Sequence, residues 1–160
     1  MVRPRVTART VIVPVAVLNR ATLRELAYAR SLSDSVIAVH VTDDVSEATQ
    51  LRERWAQWAQ EASEAAERLS PKEVAACTLA EVQLVLLESP YRSLTPPLLS
   101  YTDQLEKQES GSAITIVLPE ALPTQWWLWG FHNQTALRLK AALLLRPSTA
   151  VLDVPLHVEV

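Results

Sequence analysis

The 160-residue sequence contains little glycine and cysteine, and each shortage excludes a class of site. Only two glycines occur, Gly111 and Gly130, so the chain has neither the glycine-rich dinucleotide fingerprint nor a phosphate-binding P-loop. Dehydrogenase and P-loop nucleotidase functions are therefore excluded. The one cysteine, Cys77, cannot form an internal disulfide, which fits a reducing cytosol.

Clusters of metal-binding or catalytic side chains are also missing from the sequence. The three histidines, His40, His132 and His157, are far apart, and few carboxylates lie near them, so we expect no metal site. No nucleophile elbow of the form G-x-S-x-G occurs. A Ser-His-Asp arrangement is not excluded by sequence, but it has no positive support. We expect a domain that is not an enzyme.

Charge and hydropathy indicate a globular chain. The formal net charge is −3 and the hydrophobic content is 49%, so we expect a folded core and no nucleic-acid groove. No apolar run approaches the ~18 residues of a membrane span. The apolar run near the start contains Pro14 and lacks a small-residue cleavage site, so it predicts a strand rather than a signal peptide. We expect one soluble, cytosolic domain over residues 1–160.

Apolar runs of strand length alternate with helical patterns along the chain. Thr10–Val17 is rich in β-branched residues and predicts a strand that is buried on both faces. Four further runs, SVIAVHVTDD, VQLVLLE, AITIVLP and STAVLDVPLHVEV, predict four more strands. Alternation of five strands with four helices predicts an α/β fold with a doubly wound parallel sheet and right-handed crossovers. Flavodoxin-like and adenine-nucleotide-hydrolase-like strand orders both fit this pattern.

The four predicted helices have recognisable starts and spacings. Asn19 is placed to cap the first helix. In the second helix, Ser46 followed by Thr49 or Gln50 matches a capping box only loosely. Pro96 and Pro97 fit the first turn of the third helix, where a missing N–H group costs little. Residues at helical spacing are Leu23, Leu26, Ala27 and Arg30 in the first helix, and Leu137, Ala141 and Leu144 on one face of the fourth.

Polar and aromatic residues follow three of the strands, at the edge where doubly wound sheets bind ligands. A helix N-terminus offers free N–H groups and a partial positive charge, so it can hold an anion without a glycine loop. Arginines can add bidentate contacts to a phosphate, and tyrosine or histidine can stack on a base. The candidate ligand-binding residues are Asn19 and Arg20 after the first strand, Ser89, Tyr91, Arg92 and Ser93 after the third, and His132, Asn133, Gln134, Thr135 and Arg138 after the fourth.

Most candidates also have a structural interpretation. Arg20 suits the solvated surface, and Tyr91 suits a loop anchor for Pro90. Asn133 and Thr135 suit helix caps, and Arg92 and Arg138 suit solvated helix surfaces. His132 suits a hydrogen bond to a backbone carbonyl group.

The tryptophans form two groups with open roles. Trp126, Trp127 and Trp129 fit either an aromatic lid packed on the domain or a surface for a partner. Trp55 and Trp58, three residues apart on the second helix, face either the core or a dimer partner.

Three blocks carry a resemblance to a known family: VIVPVAVLNRATLRELAYARSLSDSVIAVHV, LLESPYRSLTPPLLSY and HNQTALRLKAALLLRP. They resemble the cytosolic C-terminal domain of bacterial APC-superfamily permeases, including amino-acid permeases and KUP-type potassium transporters. That domain is similar to the universal stress protein fold. The resemblance covers nearly all of the chain and is poorest over about residues 58–80.

The resemblance implies a five-stranded parallel sheet of order 3-2-1-4-5 with helices on both faces, which dimerises and regulates transport from the cytosolic side. Universal stress proteins often bind ATP through an aspartate after strand one and a glycine-rich loop after strand four. Those positions fall here on Ala16 and on Leu122–Asn133, where only Gly130 matches, so the chain departs from the usual ATP site. In KUP-type relatives the regulator is cyclic di-AMP.

The sequence thus predicts a non-enzymatic regulatory domain of a membrane transporter, located on the cytoplasmic side of the inner membrane. It would sense cyclic di-AMP, ATP, ADP or AMP at the strand-end edge or at a dimer cleft, and it would form a homodimer through the C-terminal edge strand, TAVLDV. The alternative is an assembly module without a ligand, which dimerises and docks on the membrane domain.

Overall fold

A computed structural model of the chain describes residues 9–66, 81–90, 93–109, 112–119 and 134–154. These residues form a five-stranded parallel sheet whose strand order is β3-β2-β1-β4-β5. The strands are β1 (Arg9–Pro14), β2 (Ser35–Thr42), β3 (Gln83–Glu88), β4 (Ala113–Pro119) and β5 (Thr149–Val154), and the helices are α1 (Arg20–Leu32), α2 (Val45–Ala66), α3 (Thr95–Gln108) and α4 (Gln134–Leu144).

The α/β fold and the 3-2-1-4-5 strand order are confirmed, whereas the likeness to universal stress proteins stays a prediction. The first strand ends at Pro14, earlier than the predicted Thr10–Val17. One further hydrogen bond, from Val15 N to the oxygen of Val39 at 2.8 Å, continues the ladder beyond the strand. The chain then turns toward α1, so the last two residues of the apolar run belong to the connection.

Helices cover both faces of the sheet, and each face has its own core. On one face, Ile12 and Ile116 of the central strands pack with Leu98 of α3 and Leu139 of α4. The other face carries the alternate strand residues, because successive side chains point to opposite sides of a strand. There the valines of β1 pack with α1 and α2, and half-buried Trp55 joins them from α2, which confirms a core-facing position.

The helix caps agree with the sequence in one case and differ in another. Asn19 caps α1 as predicted, since its side chain accepts a hydrogen bond from Thr22 N. The capping box predicted from Ser46 is wrong, because Ser46 lies inside the first turn of α2. Asp44 caps this helix instead, and its Oδ1 accepts from Ser46 N at 2.7 Å and from Glu47 N at 3.4 Å.

The buried faces of α1 and α4 differ from the leucine patterns read in the sequence. Among the described side chains of α4, Leu139 and Leu143 are buried and Ala141 and Leu144 are exposed, while the side chain of Leu137 lies outside the described part. Both helices are rich in apolar residues, so several faces have helical spacing, and the contact with the sheet selects among them. In α1, from residue 22 onward, the buried residues are Thr22, Glu25, Leu26 and Ala29.

Ion pairs tie the α3 and α4 layer to β5. Arg146 donates to both carboxylate oxygens of Asp103 on α3, and Lys140 of α4 donates to Asp153 of β5 at 2.9 Å. The Arg146 guanidinium group lowers the pKa of Asp103 below its ordinary value. Among the residues described above, no helix has the length and apolar character needed to cross a membrane.

Candidate functional site

The candidate site lies at the carboxyl edge of the sheet. All strands are parallel, so the strand ends and the starts of the four helices meet at this edge. The chain leaves β1 toward β2 on one side and leaves β4 toward β5 on the other, so the topological switch point lies between β1 and β4. Crevices at such points bind ligands in open α/β sheets.

Asn19 and Arg20 stand on the β1 side of this switch point. Asn19 Oδ1 lies 3.0 Å from Thr22 N, so one amide group of the first helical turn already has a partner. Thr22 Oγ1 donates to the oxygen of Val17 at 2.5 Å and fixes the turn that leads into α1. Arg20 is the first residue of α1. Asn19 therefore has the structural role of a helix cap.

Residues at the start of α4 stand on the β4 side. Gln134 and Thr135 are the first two residues of α4, and Arg138 lies one turn farther with an exposed side chain. The fold thus places Asn19 and Arg20 on one flank of the switch point and the start of α4 on the other. The remaining candidates nearby, His132 and Asn133, lie outside the described residues, as do Trp126, Trp127 and Trp129.

The candidates after β3 lie away from the switch point. Strand β3 is two positions from β1 in the sheet, which corresponds to about 10 Å at the usual strand spacing. Ser89 is buried beside the end of β2, where its N donates to the oxygen of Thr42 at 3.1 Å. Ser93 is half-buried. Tyr91 and Arg92 lie outside the described residues.

The helix starts at this edge differ in what they can offer an anion. The start of α3 has no side-chain cap, and Pro96 and Pro97 remove two of its free N–H groups. The start of α2 is occupied by the carboxylate of Asp44, and Glu47 adds a second carboxylate that accepts from Thr42 Oγ1 at 2.5 Å. An anion is therefore disfavoured at α2 and finds few donors at α3.

His40, at the end of β2, is a buried polar residue that the site prediction missed. Its Nδ1 lies 2.7 Å from the oxygen of Val15, and because a carbonyl oxygen only accepts, Nδ1 donates this hydrogen bond. Nε2 is buried without a hydrogen-bond partner. The sequence signal was its place at the carboxyl end of a strand, but the histidine was considered only as a metal ligand. In the described part of the chain, no group of side chains suited to a metal ion occurs.

Glu25 of α1 is the second residue that the prediction missed. Only 4% of its surface is exposed, and its Oε1 has no hydrogen-bond partner. Burial raises the pKa of Glu25 from 4.5 to about 8 because the carboxylate form loses its hydration. The signal in the sequence was the spacing of Thr22, Glu25 and Ala29, which puts a glutamate on the inward face of an amphipathic helix.

Comparison with known proteins identifies the family. The model of the KimA potassium transporter C-terminal domain matches residues 6–156. The curated protein "Potassium transporter KimA" of Bacillus subtilis (strain 168) is 31% identical over 150 residues, which are 92% of this chain and 21% of that protein. The chain therefore spans about a fifth of the length of this curated relative. The predicted resemblance to the C-terminal domain of a potassium transporter is confirmed, and the chain belongs to the KimA potassium transporter C-terminal domain family.

Proposed function

We propose that this domain is a non-enzymatic regulatory part of a KimA-type potassium transporter on the cytoplasmic side of the membrane, and that it binds an adenine nucleotide. The observation that carries the proposal is the family match over residues 6–156. A parallel sheet with a switch point between β1 and β4 supports a ligand site at the carboxyl edge. Cyclic di-AMP is the first ligand to test, and ATP, ADP and AMP follow, because the sequence resemblance implies this class.

The crevice between β1 and β4 is the better place for a phosphate than the neighbouring helix starts. Carboxylates of Asp44 and Glu47 disfavour an anion at α2, and two prolines leave α3 with few donors. The first turn of α4 is free of acidic side chains. The side chain of Arg138, one turn farther along α4, is exposed, so its guanidinium group is available to a ligand.

Calorimetric titration of the purified chain with cyclic di-AMP, ATP, ADP and AMP tests the proposal. We expect at least one of them to bind with a Kd below about 100 μM, which is about −5.5 kcal/mol. Arg138→Ala should weaken that ligand by about 1.5–3 kcal/mol, because a charge-assisted hydrogen bond is lost. Arg52→Ala, which changes an exposed arginine of α2, is the matched control and should have no effect. If none of the four nucleotides binds, the result contradicts the sensing function.

A second candidate function is assembly without a ligand, and the edge of the sheet favours it. Strand β5 is hydrogen-bonded to β4 on one side, and it is the last of the described strands in the order of the sheet. Its side chains are exposed or half-buried throughout. Such an edge can pair with another strand. In this function the domain forms a homodimer through β5 and docks on the membrane domain of the transporter.

Oligomeric state and nucleotide response separate the two functions. Assembly alone would be favoured if light scattering shows a dimer and no nucleotide changes its melting temperature or indole fluorescence. Ala150→Lys places a charge on an exposed position of β5 and should convert such a dimer to a monomer. Arg52→Ala serves again as a surface control. A dimer that survives Ala150→Lys, or one built on α2 with β5 in solvent, would refute the β5 seam.

A further inference from the structure

We propose that the end of α4 is the surface by which this domain docks on the membrane part of its own transporter. The surface, which we name the leucine patch, consists of the exposed residues Ala141, Leu144, Leu145 and Pro147. This inference rests on the proposed function, since it needs a transporter of which the domain is a part. It adds a contact that neither the nucleotide site nor the β5 seam includes.

The leucine patch is a contiguous apolar surface. Leu145 is 85% exposed, and Leu144 is 76% exposed. Ala141 lies three residues before Leu144, so the two are neighbours on the surface of the helix. Pro147 extends the exposed apolar surface into the turn before β5. Single exposed apolar side chains are ordinary on a folded domain, whereas a contiguous group is typical of an interaction surface.

The turn that follows α4 directs its polar side chains toward α3 and leaves its apolar side chains outside. Arg146 pairs with Asp103 of α3. Ser148 Oγ donates to Glu106 Oε1 of α3 at 2.5 Å, and Thr149 Oγ1 donates to the same oxygen at 3.1 Å. A surface turn usually has the opposite arrangement, because polar side chains are the ones that water solvates. The polar groups therefore fasten the turn to the domain, and the leucines are left for a partner.

Backbone hydrogen bonds also hold the leucine patch in place. Arg146 N donates to the oxygen of Leu143 at 3.0 Å, and Thr149 N donates to the oxygen of Arg146 at 3.4 Å. Leu143 is fully buried, so the turn is anchored on the core. A surface that is already held in one conformation loses little conformational freedom when a partner covers it.

The leucine patch lies at the edge of the sheet where the chain enters the domain. Helix α4 leads from the carboxyl edge back to the start of β5, so its end lies at the amino edge. Thr10 of β1, Ile114 of β4 and Thr149 of β5 are in register, which places the starts of β1 and β5 about 10 Å apart at the usual strand spacing. The matched family is a C-terminal domain, so in the proposed function the membrane part precedes β1 and connects at this edge.

The charges beside the leucine patch fit a protein partner better than a lipid surface. Docking on anionic lipid uses lysine and arginine side chains that are free to reach the headgroups. Lys140 instead donates to Asp153 at 2.9 Å, and Arg146 pairs with Asp103. These are the two basic residues of segment 140–150, and both are held within the domain. The partner surface we expect is uncharged and apolar, formed by helix ends on the cytoplasmic side of the membrane part.

Thiol labelling at residue 145 tests this docking surface. Leu145→Cys is made in the 160-residue chain and in the full-length transporter, both with Cys77→Ser, and maleimide labelling is followed by mass spectrometry of the peptide with residue 145. We expect labelling to be at least about tenfold slower in the transporter, because a covered side chain reacts only when the contact opens. Val45→Cys is the matched control, since Val45 is 76% exposed and lies at the carboxyl edge. Its labelling rate should be the same in both proteins.

A second set of variants tests whether apolar contact drives the docking. Ala141→Cys is the reporter, because Ala141 is exposed in the same patch. Adding Leu145→Asp should raise labelling of the reporter in the transporter to its rate in the chain, since burial of an unpaired carboxylate is costly. Leu145→Met keeps an apolar side chain and should leave the reporter protected, and so should Val45→Asp. The replaced side chains are exposed, so the fold is retained in each variant.

Several results would overturn the inference. Equal labelling of residue 145 in the chain and in the transporter would show that nothing covers the patch, and a reporter that stays protected after Leu145→Asp would show that the leucine is not the contact. Protection of the chain alone by phosphatidylglycerol vesicles would assign the patch to a lipid surface. Protection of the chain that grows with its own concentration would assign the patch to a second copy. Because none of these measurements uses a nucleotide, failure of the docking surface and failure of nucleotide sensing are distinguishable.

Discussion

Replacing Glu25 by glutamine should stabilise the domain at neutral pH. The carboxyl group is 4% exposed, and burial raises its pKa from 4.5 to about 8. The folded state therefore binds the proton more tightly than the unfolded state does. Stability from this group is fully present below pH 4.5 and is lost as pH rises through about 8. At pH 7 the loss amounts to between about 3 and 4 kcal/mol, from 2.5 pH units above 4.5 at about 1.4 kcal/mol each.

The assay is urea unfolding of wild type and Glu25→Gln at half-unit steps from pH 5 to pH 8.5. A buried amide can leave donors unsatisfied, which adds a constant offset of about 1–2 kcal/mol against the variant. The diagnostic quantity is therefore the slope of the difference between the two proteins. The difference in the free energy of unfolding should grow in favour of Glu25→Gln by about 1 kcal/mol per pH unit up to pH 7. Above pH 8 this difference should level off. A difference that does not change with pH would refute the buried, unpaired acid.

Three further changes test the fold. Asn19→Ala should lower the free energy of unfolding by about 1 kcal/mol in urea, because the Thr22 amide loses its cap, whereas Asn19→Asp should be tolerated. Leu98→Ala should cost about 3 kcal/mol, since Leu98 is fully buried, and Leu144→Ala should cost under about 0.5 kcal/mol because that side chain is 76% exposed. Arg146→Met should return the pKa of Asp103 toward its ordinary value of 3.8, followed by NMR titration of the carboxyl group.

Strand and helix periodicity was sufficient to predict the α/β class and the five strands, since each strand is a largely apolar run between polar turns. The strand order came from the resemblance, because periodicity alone left two orders open. The cap at Asn19 was also predictable, since asparagine followed by an amphipathic segment is a strong local signal.

Tertiary contacts decided what local patterns could not. Asp44 rather than Ser46 caps α2, because the helix begins one residue after the aspartate. Leu144 fits a helical stripe in sequence but lies on the open side of α4, where the sheet does not reach. Glu25 was overlooked because a glutamate on a helix is usually solvated, and only the packing of α1 on the sheet shows that this one is buried.

The strand order divides the predicted site residues into two groups, and the site itself stays a prediction. Asn19 and Arg20 follow β1, whose neighbour in the sheet on the side of the switch point is β4. Ser89 and Ser93 follow β3, and the position of β3 at the far edge of the described sheet separates them from that crevice. The strand order is needed to separate the residues after β3 from those at the switch point, and residue spacing along the chain does not give the strand order.

A crystal structure of the chain soaked with cyclic di-AMP tests the central claim most directly. The account predicts density for the ligand between the ends of β1 and β4, with a phosphate near the start of α4. An empty crevice at a saturating ligand concentration, or a nucleotide bound beyond β3 with no contact to α1 or α4, would contradict it.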